Sequence, residues 1–284
     1  MFHLIERLIG RDLLWRLSRR AYHHVRREGS LDHLTNGEAW LQDRFAHHSA
    51  AQGKPLTIVD VGANYGQWSS TMVEALKRNA APKASMTLFE PVPPIRALLT
   101  ETMAKQQAAD VRIEPLALSG KSGRMTMTVN EIGSGTHHLG EIEGDEQGET
   151  ISVEVNTLDA YWSARGGGPI DLVKIDAEGY DGNVALGMRE LLARGDVDVI
   201  QFEYGVLFMR TRMYLRDMID LAHAHGYRFA SLFHGGIEVI DQWHPDIESF
   251  VASEKLILHP RAVDWLGARE VRYTPSNTLR YASY

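Results

Sequence analysis

From Leu56 onward, short apolar runs alternate with stretches whose apolar residues recur at helical spacing. The runs are "LTIVDVG", "SMTLFEP", "VRIEPLALS", "DLVKIDAEG" and "VDVIQFEYG". They are almost continuously apolar, as strands covered on both faces must be. Between them, "GQWSSTMVEALKRN", "PIRALLTETMAKQQ" and "DGNVALGMRELLARG" carry apolar residues on one helical face. This alternation predicts an α/β domain with a parallel sheet and helices on both sides. Further on, "TRMYLRDMIDLAHAHG" reads as a helix, and "YRFASLFHGGIEVI" and "FVASEKLILH" read as strands.

Two segments break the alternation. Within residues 124–155, "RMTMTVN" and "TISVEVNTL" alternate apolar with polar positions and predict an inserted antiparallel hairpin. The glycine-rich, acidic connection between them is long for a compact domain and is expected to form a lid. At the other break, residues 1–54 are expected to form a helical extension preceding the α/β domain of residues 55–284. Its first helix is predicted over "FHLIERLIGRDLLWRLSRRAYHHVRRE", with apolar residues at 2, 5, 9, 13 and 17 and arginines opposite. Its second is predicted over "TNGEAWLQDRFAHH", capped near Asn36 and ended by "AAQGKP".

Charge changes this picture more than composition does. The 284 residues are 44% hydrophobic and 24% charged, as in an ordinary globular protein. Seven arginines against Glu6 and Asp12 give residues 1–27 a net charge of +5, which leaves −12 on the rest of a chain whose total is −7. An acidic body argues against nucleic acid as substrate. The basic N-terminal helix can lie on anionic lipid, or dock on its own domain, another protein or a second copy in a homodimer; docking is the plainer reading. No cysteine is present, which excludes disulfides, thiolate nucleophiles and cysteine-bound zinc. No apolar run is long enough to span a membrane and no secretory leader is recognisable, so a cytoplasmic location is expected.

The stretch "TIVDVGANYG" holds the first candidate chemistry. Ligands of open α/β sheets bind beyond the carboxyl ends of the strands. A dinucleotide-binding turn would read G-x-G-x-x-G, whereas Gly62 and Gly66 are separated by three residues, and no Walker lysine follows. Asp60, two residues before the turn, would repel a diphosphate and favour a cation. Glu90, ending the next strand in "LFEP", stands where a carboxylate can accept from ribose hydroxyls. A nucleoside with a positive, phosphate-free tail satisfies both, and S-adenosyl-L-methionine is such a molecule. Taken singly, Asp60 reads equally as a turn or cap residue and Glu90 as a solvated strand end.

With "IVDVGANYGQWS", "LFEPVP", "PLALSG", "TLDAYW", "DLVKIDAEGYD" and "VIQFEYG" in that order, the chain resembles the FkbM family of S-adenosylmethionine-dependent methyltransferases over residues 57 to about 205. The resemblance implies the class I methyltransferase fold, a Rossmann-like seven-stranded sheet whose last strand is antiparallel. It also implies O-methylation of a hydroxyl on a sugar, glycosylated or polyketide-type metabolite. It makes Asp60, Gly62, Ala63, Asn64 and Gly66 the first cofactor loop, with Asn64 donating to the methionine carboxylate. Glu90 takes the ribose, and Ala117, Leu118 and Ser119 follow the third strand, where the adenine edge lies.

Methyl transfer to an alcohol needs a base or a metal, because a neutral hydroxyl is a poor nucleophile. Asp176 and Glu178 in "KIDAEGYD" and Glu203 in "QFEYG" converge at neighbouring strand ends. Either Asp176 and Glu203 hold a divalent cation such as magnesium, or one crowded carboxylate serves as general base; the metal-free reading is preferred. Asp176 and Glu178 could instead cap the following helix. His234 in "LFHGG" is a further candidate base, with a plain turn residue as the simpler reading. His137 and His138 sit in the expected lid. Lys174, two residues before Asp176 on the same side of its strand, is expected to pair with a carboxylate. Tyr161, Trp162, Tyr204 and Phe208 are core residues or the floor of an acceptor pocket. Two alternatives to a methyltransferase are a nicotinamide-dependent oxidoreductase and a scaffold that keeps the fold without the activity.

Overall fold

The structure is a computed structural model that describes residues 2–29, 32–129, 137–139, 149–266 and 271–273, with the side chains of residues 2–5, 137–139 and 271–273 left aside. The N-terminal stripe forms two helices, α1 (Phe2–Ile9) and α2 (Arg11–Arg26), rather than the single one its pattern predicts. Gly10 separates them with φ 79, a left-handed conformation that a helix cannot contain. Then α3 (Glu38–Gln52) packs on the sheet domain, with Leu41, Phe45 and Ala46 fully buried beside Ile58 and Met72.

The sheet begins with β1 (Thr57–Val61), α4 (Gln67–Arg78), β2 (Ala84–Phe89), α5 (Pro93–Met103) and β3 (Ala109–Glu114). The single strand expected over residues 111–119 is two, because the chain turns after Glu114 and β4 (Ala117–Leu118) joins a different sheet. The expected inserted hairpin is present as β5 (Gly123–Val129) against β7 (Glu149–Asn156). With β6 (His137–Leu139) and β4 it makes a four-stranded sheet in the order β4-β7-β5-β6, so the insertion is larger than a hairpin. Most of the expected lid, and the side chains of His137 and His138, lie outside the described residues.

The main sheet continues with α6 (Leu158–Ala164), β8 (Ile170–Ile175), α7 (Asp181–Leu186), α8 (Arg189–Arg194) and β9 (Val197–Tyr204). The helix expected over 181–195 breaks at Gly187, where a side chain would meet the carbonyl of Ser119 at 2.3 Å. Then come α9 (Leu215–Ala224), β10 (Arg228–Phe233), β11 (Gly236–Ile240), β12 (Ser253–Leu258), α10 (Pro260–Leu266) and β13 (Val271–Tyr273).

Strand order is β13-β11-β10-β12-β9-β8-β1-β2-β3. The expectation of seven strands therefore falls short by two. β12 runs antiparallel to both β9 and β10, as expected of a final strand. β11 folds back antiparallel on β10 and carries β13 beside it, which extends the edge. The central strands β1, β8 and β9 are buried on both faces, which accounts for their near-continuous apolar sequences. Their carboxyl ends, with that of β2, open on one side of the sheet.

Candidate functional site at the carboxyl ends of the strands

The turn after β1 is fixed by backbone geometry. Gly62 has φ 79, and a Cβ there would lie 2.0 Å from the carbonyl oxygen of Asp176. Only glycine lets the first loop pass so close to the loop after β8. The N–H groups of Gly62 and Ala63 both donate to the carbonyl of Phe89, at 3.0 and 3.1 Å, which ties the turn to the end of β2. Glu90 follows. Its Oε1 accepts the N–H of Val92 at 2.8 Å and its Oε2 accepts the N–H of Asn64 at 3.1 Å.

The loop after β8 is held by Asp181 at the start of α7. Its carboxylate accepts the N–H of Gly179 at 3.0 Å and that of Ala177 at 3.4 Å. Gly179 has φ 92, and a Cβ there would come within 2.4 Å of the carbonyl of Leu207. Glu178, just before it, takes a left-handed φ of 51. For a residue other than glycine, asparagine or aspartate this conformation is uncommon and costs on the order of 1 kcal/mol. The loop is thus bent so that Glu178 faces the strand ends.

Three cavities meet here. The first, about 90 Å³, lies between the Gly62 turn, Glu90 and the Ala117–Leu118 strand, with Phe89, Leu116 and Met127 as apolar walls. The second, about 220 Å³, is polar and includes Asp60, Lys174, Glu203 and Glu254 with Glu38 and Trp68. The third, about 390 Å³, is lined by Glu178, Asp181 and Glu203 together with Phe208, Phe250 and Val206. Asp176 lines all three, Glu178 joins the first to the third, and Glu203 joins the second to the third.

The carboxylates are less charged than their number suggests. Burial pushes Glu90 up to about 7 against its two backbone donors. Burial likewise pushes Asp60 up to about 7, against the pull of the Ser69 hydroxyl and Lys174. Glu178 reaches about 7 through burial, then through the neighbouring charges of Asp176 and Glu203. Glu203 is raised by burial and by Asp176.

Beneath the second cavity lies a buried network. Lys174 Nζ pairs with Glu38 at 2.9 Å and with Glu254 at 3.4 Å. Gln201 donates to both carboxylates, at 2.7 and 2.8 Å. Burial opposes the charge on Glu38, but Lys174, Asn36 and Gln201 together hold its carboxyl below the usual range. Burial wins at Glu254, which rises to about 7.

The structure brings most of the sequence candidates together. Gly62, Asn64, Glu90, Ala117, Leu118, Asp176 and Glu178 line the first cavity. Asp60 and Ala63 line the second, and Asp60 also accepts the Ser69 hydroxyl at 2.6 Å. Asn64 spends its backbone N–H on Glu90, and its side-chain Oδ1 is buried without a partner. Gly66 lies apart from the cavities: it caps α4, and a Cβ there would meet Leu99 at 2.7 Å. Ser119 also lies apart, with its N–H donated to the carbonyl of Asn156. His234 is exposed in the turn between β10 and β11 and lines none of the three cavities. Tyr204 is fully buried, and Tyr161 donates to Glu114 at 2.7 Å; of the four aromatic candidates, only Phe208 reaches the third cavity.

Sequence reading missed Glu38 and Glu254, the partners of Lys174. The one available signal was a lysine inside an apolar strand, which demands a counter-charge but does not say from where. Among the described residues, no group of three or more His, Asp or Glu is arranged to hold a metal ion. The cation weighed for Asp176 and Glu203 therefore finds no such group to hold it among the described residues. Among the same residues, no helix is long and apolar enough to cross a membrane.

An open α/β sheet with a glycine turn after its first strand, a carboxylate after its second and carboxylates after two further central strands defines a Rossmann-like protein with its candidate site at the carboxyl ends of the strands. Residues 60–229 match the methyltransferase FkbM domain, and the chain belongs to that family. It is 25% identical over 194 residues to the 2-O-methyltransferase NoeI of Sinorhizobium fredii (strain NBRC 101917 / NGR234), across 64% of this chain and 76% of that protein. Among solved structures it is similar to a precorrin-6y C5,15-methyltransferase from Geobacter metallireducens GS-15, with 12% identity, a TM-score of 0.36, and 76% and 87% of the two chains covered. A SAM-dependent methyltransferase from Agrobacterium tumefaciens gives 9% identity, a TM-score of 0.40 and coverage of 78% and 62%.

Proposed function

We propose that the protein transfers a methyl group from S-adenosylmethionine to a hydroxyl oxygen of a sugar or similar polyhydroxylated metabolite. One observation carries this reading: Glu178, a carboxyl pushed up to about 7, stands where the first cavity opens into the third. A general base works best when its pKa lies near the operating pH, and it must reach both the reacting hydroxyl and the methyl donor.

The residues present fit the cofactor. Gly62 packs its backbone against the Asp176 carbonyl, where any Cβ would clash, and so keeps the turn after β1 at the wall of the first cavity. Two buried atoms without partners, Asn64 Oδ1 and Trp68 Nε1, belong to residues of the second cavity. They supply one acceptor and one donor, as an amino-acid end with an ammonium and a carboxylate requires. The Phe89, Leu116 and Met127 walls suit an adenine ring, and Glu90 suits the ribose hydroxyls. S-adenosylmethionine, when bound, supplies a methyl group already activated on a sulfonium.

Glu178 then accepts the acceptor's hydroxyl proton as the oxygen attacks. Asp176 and Glu203 surround the same point and raise the affinity of Glu178 for that proton. Phe208 and Phe250 give the third cavity an apolar wall beside its carboxylates, a combination suited to a sugar ring with one hydrophobic face. The name of the relative, a 2-O-methyltransferase, agrees with oxygen as the acceptor atom.

The test is a thermal-shift series with S-adenosylmethionine, S-adenosylhomocysteine and NAD, followed by a screen of hydroxylated acceptors with labelled cofactor. Ligand binding to the native state raises Tm with concentration. Stabilisation by NAD and none by S-adenosylhomocysteine would sink the reading. Loss of transfer on treatment with a chelator would replace Glu178 by a metal as the activating group.

A further inference from the structure

Among the described residues, α2 differs from the helices α3 to α10 in what it buries. α2 has no buried residue. Of the twelve large apolar side chains exposed among the described residues, seven lie between Leu8 and Val25. Val25 is 78% exposed, Leu8 77% and Trp15 59%. At about 100° per residue, Leu13, Leu14, Leu17, Ala21 and Val25 fall on one face of α2. Trp15 and Tyr22 fall beyond one edge of that face, Arg16 and Arg19 lie towards the opposite side, and Arg20 borders the face beside Leu13.

We propose that α1 and α2 dock this protein on an anionic lipid surface, with the third cavity held beside the interface. An apolar stripe with an arginine-rich opposite face, and with tryptophan and tyrosine at the boundary, suits the headgroup region of a bilayer. Charge favours the same occupant. Residues 1–27 carry +5 and the remainder −12, so the helices face an anionic bilayer while the body stays repelled from it.

A second copy fits less well. Packing α2 on its own counterpart would bring two sets of arginines together. Packing it on another copy's body would require a matching apolar strip. The five exposed large apolar residues outside the helices are Leu34, Leu98, Val206, Met209 and Tyr214, spread over separate elements.

The anchor of α2 gives the docked pose a direction. Arg26 donates to the carbonyls of Asp246 and Ile247, and Gly29 donates its N–H to the carbonyl of Ala252 at 3.0 Å. Arg27 lies 4.0 Å from the centre of the Phe233 ring. Ala252 and Phe250 line the third cavity, so the helix pair joins the body at its rim. The exposed side chains of Val206, Met209 and Tyr214 lie on or next to the 3-10 turn Val206–Thr211, which borders the same cavity.

The experiment is co-sedimentation of the full chain with equimolar phosphatidylglycerol–phosphatidylcholine vesicles and with pure phosphatidylcholine vesicles. It needs no methyl acceptor, so it stands or falls apart from the proposed activity. Binding is expected to the anionic vesicles, weakening as salt is raised. A basic residue near a charged bilayer is worth about fivefold in affinity, so R16Q/R20Q is expected to lower binding roughly twenty-five-fold. L13S/L17S removes apolar contact and is expected to reduce binding as well. Neither pair is buried, so Tm stays at the wild-type value in both variants. Absent sedimentation with anionic vesicles, or sedimentation unchanged by both variants, would overturn the proposal. So would a wild-type dimer that L13S/L17S converts to monomer, since a second copy would then cover the face.

Discussion

The first cavity and the acidic cavities beside it are built in opposite ways. In the first, the strand-end carboxylate is satisfied by backbone donors close at hand. Glu90 accepts from Val92, two residues on, and from Asn64 in the next loop. In the second, Lys174 is balanced by Glu254, 80 residues away, and Gln201 reaches Glu38 across 163 residues. The third gathers carboxylates from the loop after β8 and the end of β9 against Phe250, which precedes β12. Local hydrogen bonding makes a rigid seat for a cofactor. Long-range assembly makes a site whose charge and shape depend on the whole fold, including the segment that precedes the sheet.

Four experiments press on that contrast. The largest effect is expected from Glu178→Gln. Loss of a general base lowers kcat by about a hundredfold to ten-thousandfold, while affinity for S-adenosylhomocysteine stays at the wild-type value. Labelled methyl transfer at saturating acceptor measures the first and calorimetry the second. An unchanged kcat would remove Glu178 from the mechanism.

Next in size is Glu38→Ala, which takes the closer partner from a buried lysine. A loss of about 3 kcal/mol in urea unfolding is expected. The double change Glu38→Leu with Lys174→Met should recover part of it, since no unpaired charge is left. If Glu38→Ala unfolds at the wild-type urea midpoint, the network does not bind the N-terminal segment to the sheet.

Glu90→Gln acts on the local side of the contrast. It keeps the shape and removes the charge that accepts from ribose, so affinity for S-adenosylhomocysteine is expected to fall about tenfold with little change in kcat. Unaltered affinity would displace the nucleoside from the first cavity.

The smallest effect is in pH dependence. Burial holds Asp60, Glu90, Glu178 and Glu254 at about 7 in the folded state, above their ordinary values of 3.8 for Asp60 and 4.5 for the glutamates. The folded protein therefore binds more protons than the unfolded chain between those values. Their contribution to stability is fully present below about pH 4 and is lost as pH rises through about 7. A fall of a few degrees in the ligand-free Tm over that window is expected. Glu90→Gln should flatten it. The same ionisation should favour the cationic cofactor over neutral S-adenosylhomocysteine as pH rises through 7, an ordering that parallel titrations read directly.

Much of the local side was legible in the chain. The near-continuous apolar runs announced β1, β2, β8 and β9. The "DVGAN" turn marked its own glycine, since strand and helix periodicity meet there with no room for a side chain. Glu90 was visible as the acid that ends the second apolar run. The single strand read over 111–119 failed for a physical reason. Apolar content does not say which of two sheets a segment joins, and the turn after Glu114 sends Ala117 to the other. Gly66 and Ser119 had the right spacing for a loop around a ligand, but their backbones are engaged in capping α4 and in pairing with β7. For His234, a position at a strand end said nothing about distance from the other strand ends, and it lies in the turn of the β10–β11 hairpin, towards the edge of the sheet.

The sequence by itself determined the alternation of strands and helices, the turn after β1, and which acids stand at the strand ends. These follow from periodicity and turn chemistry, which act over a few residues. Only the tertiary structure decided which acids neutralise Lys174, that Glu178 stands between two cavities, and that α3 is buried while α2 is bare. Each of those is a matter of which distant surfaces meet, and burial, more than residue identity, sets the protonation of a carboxyl.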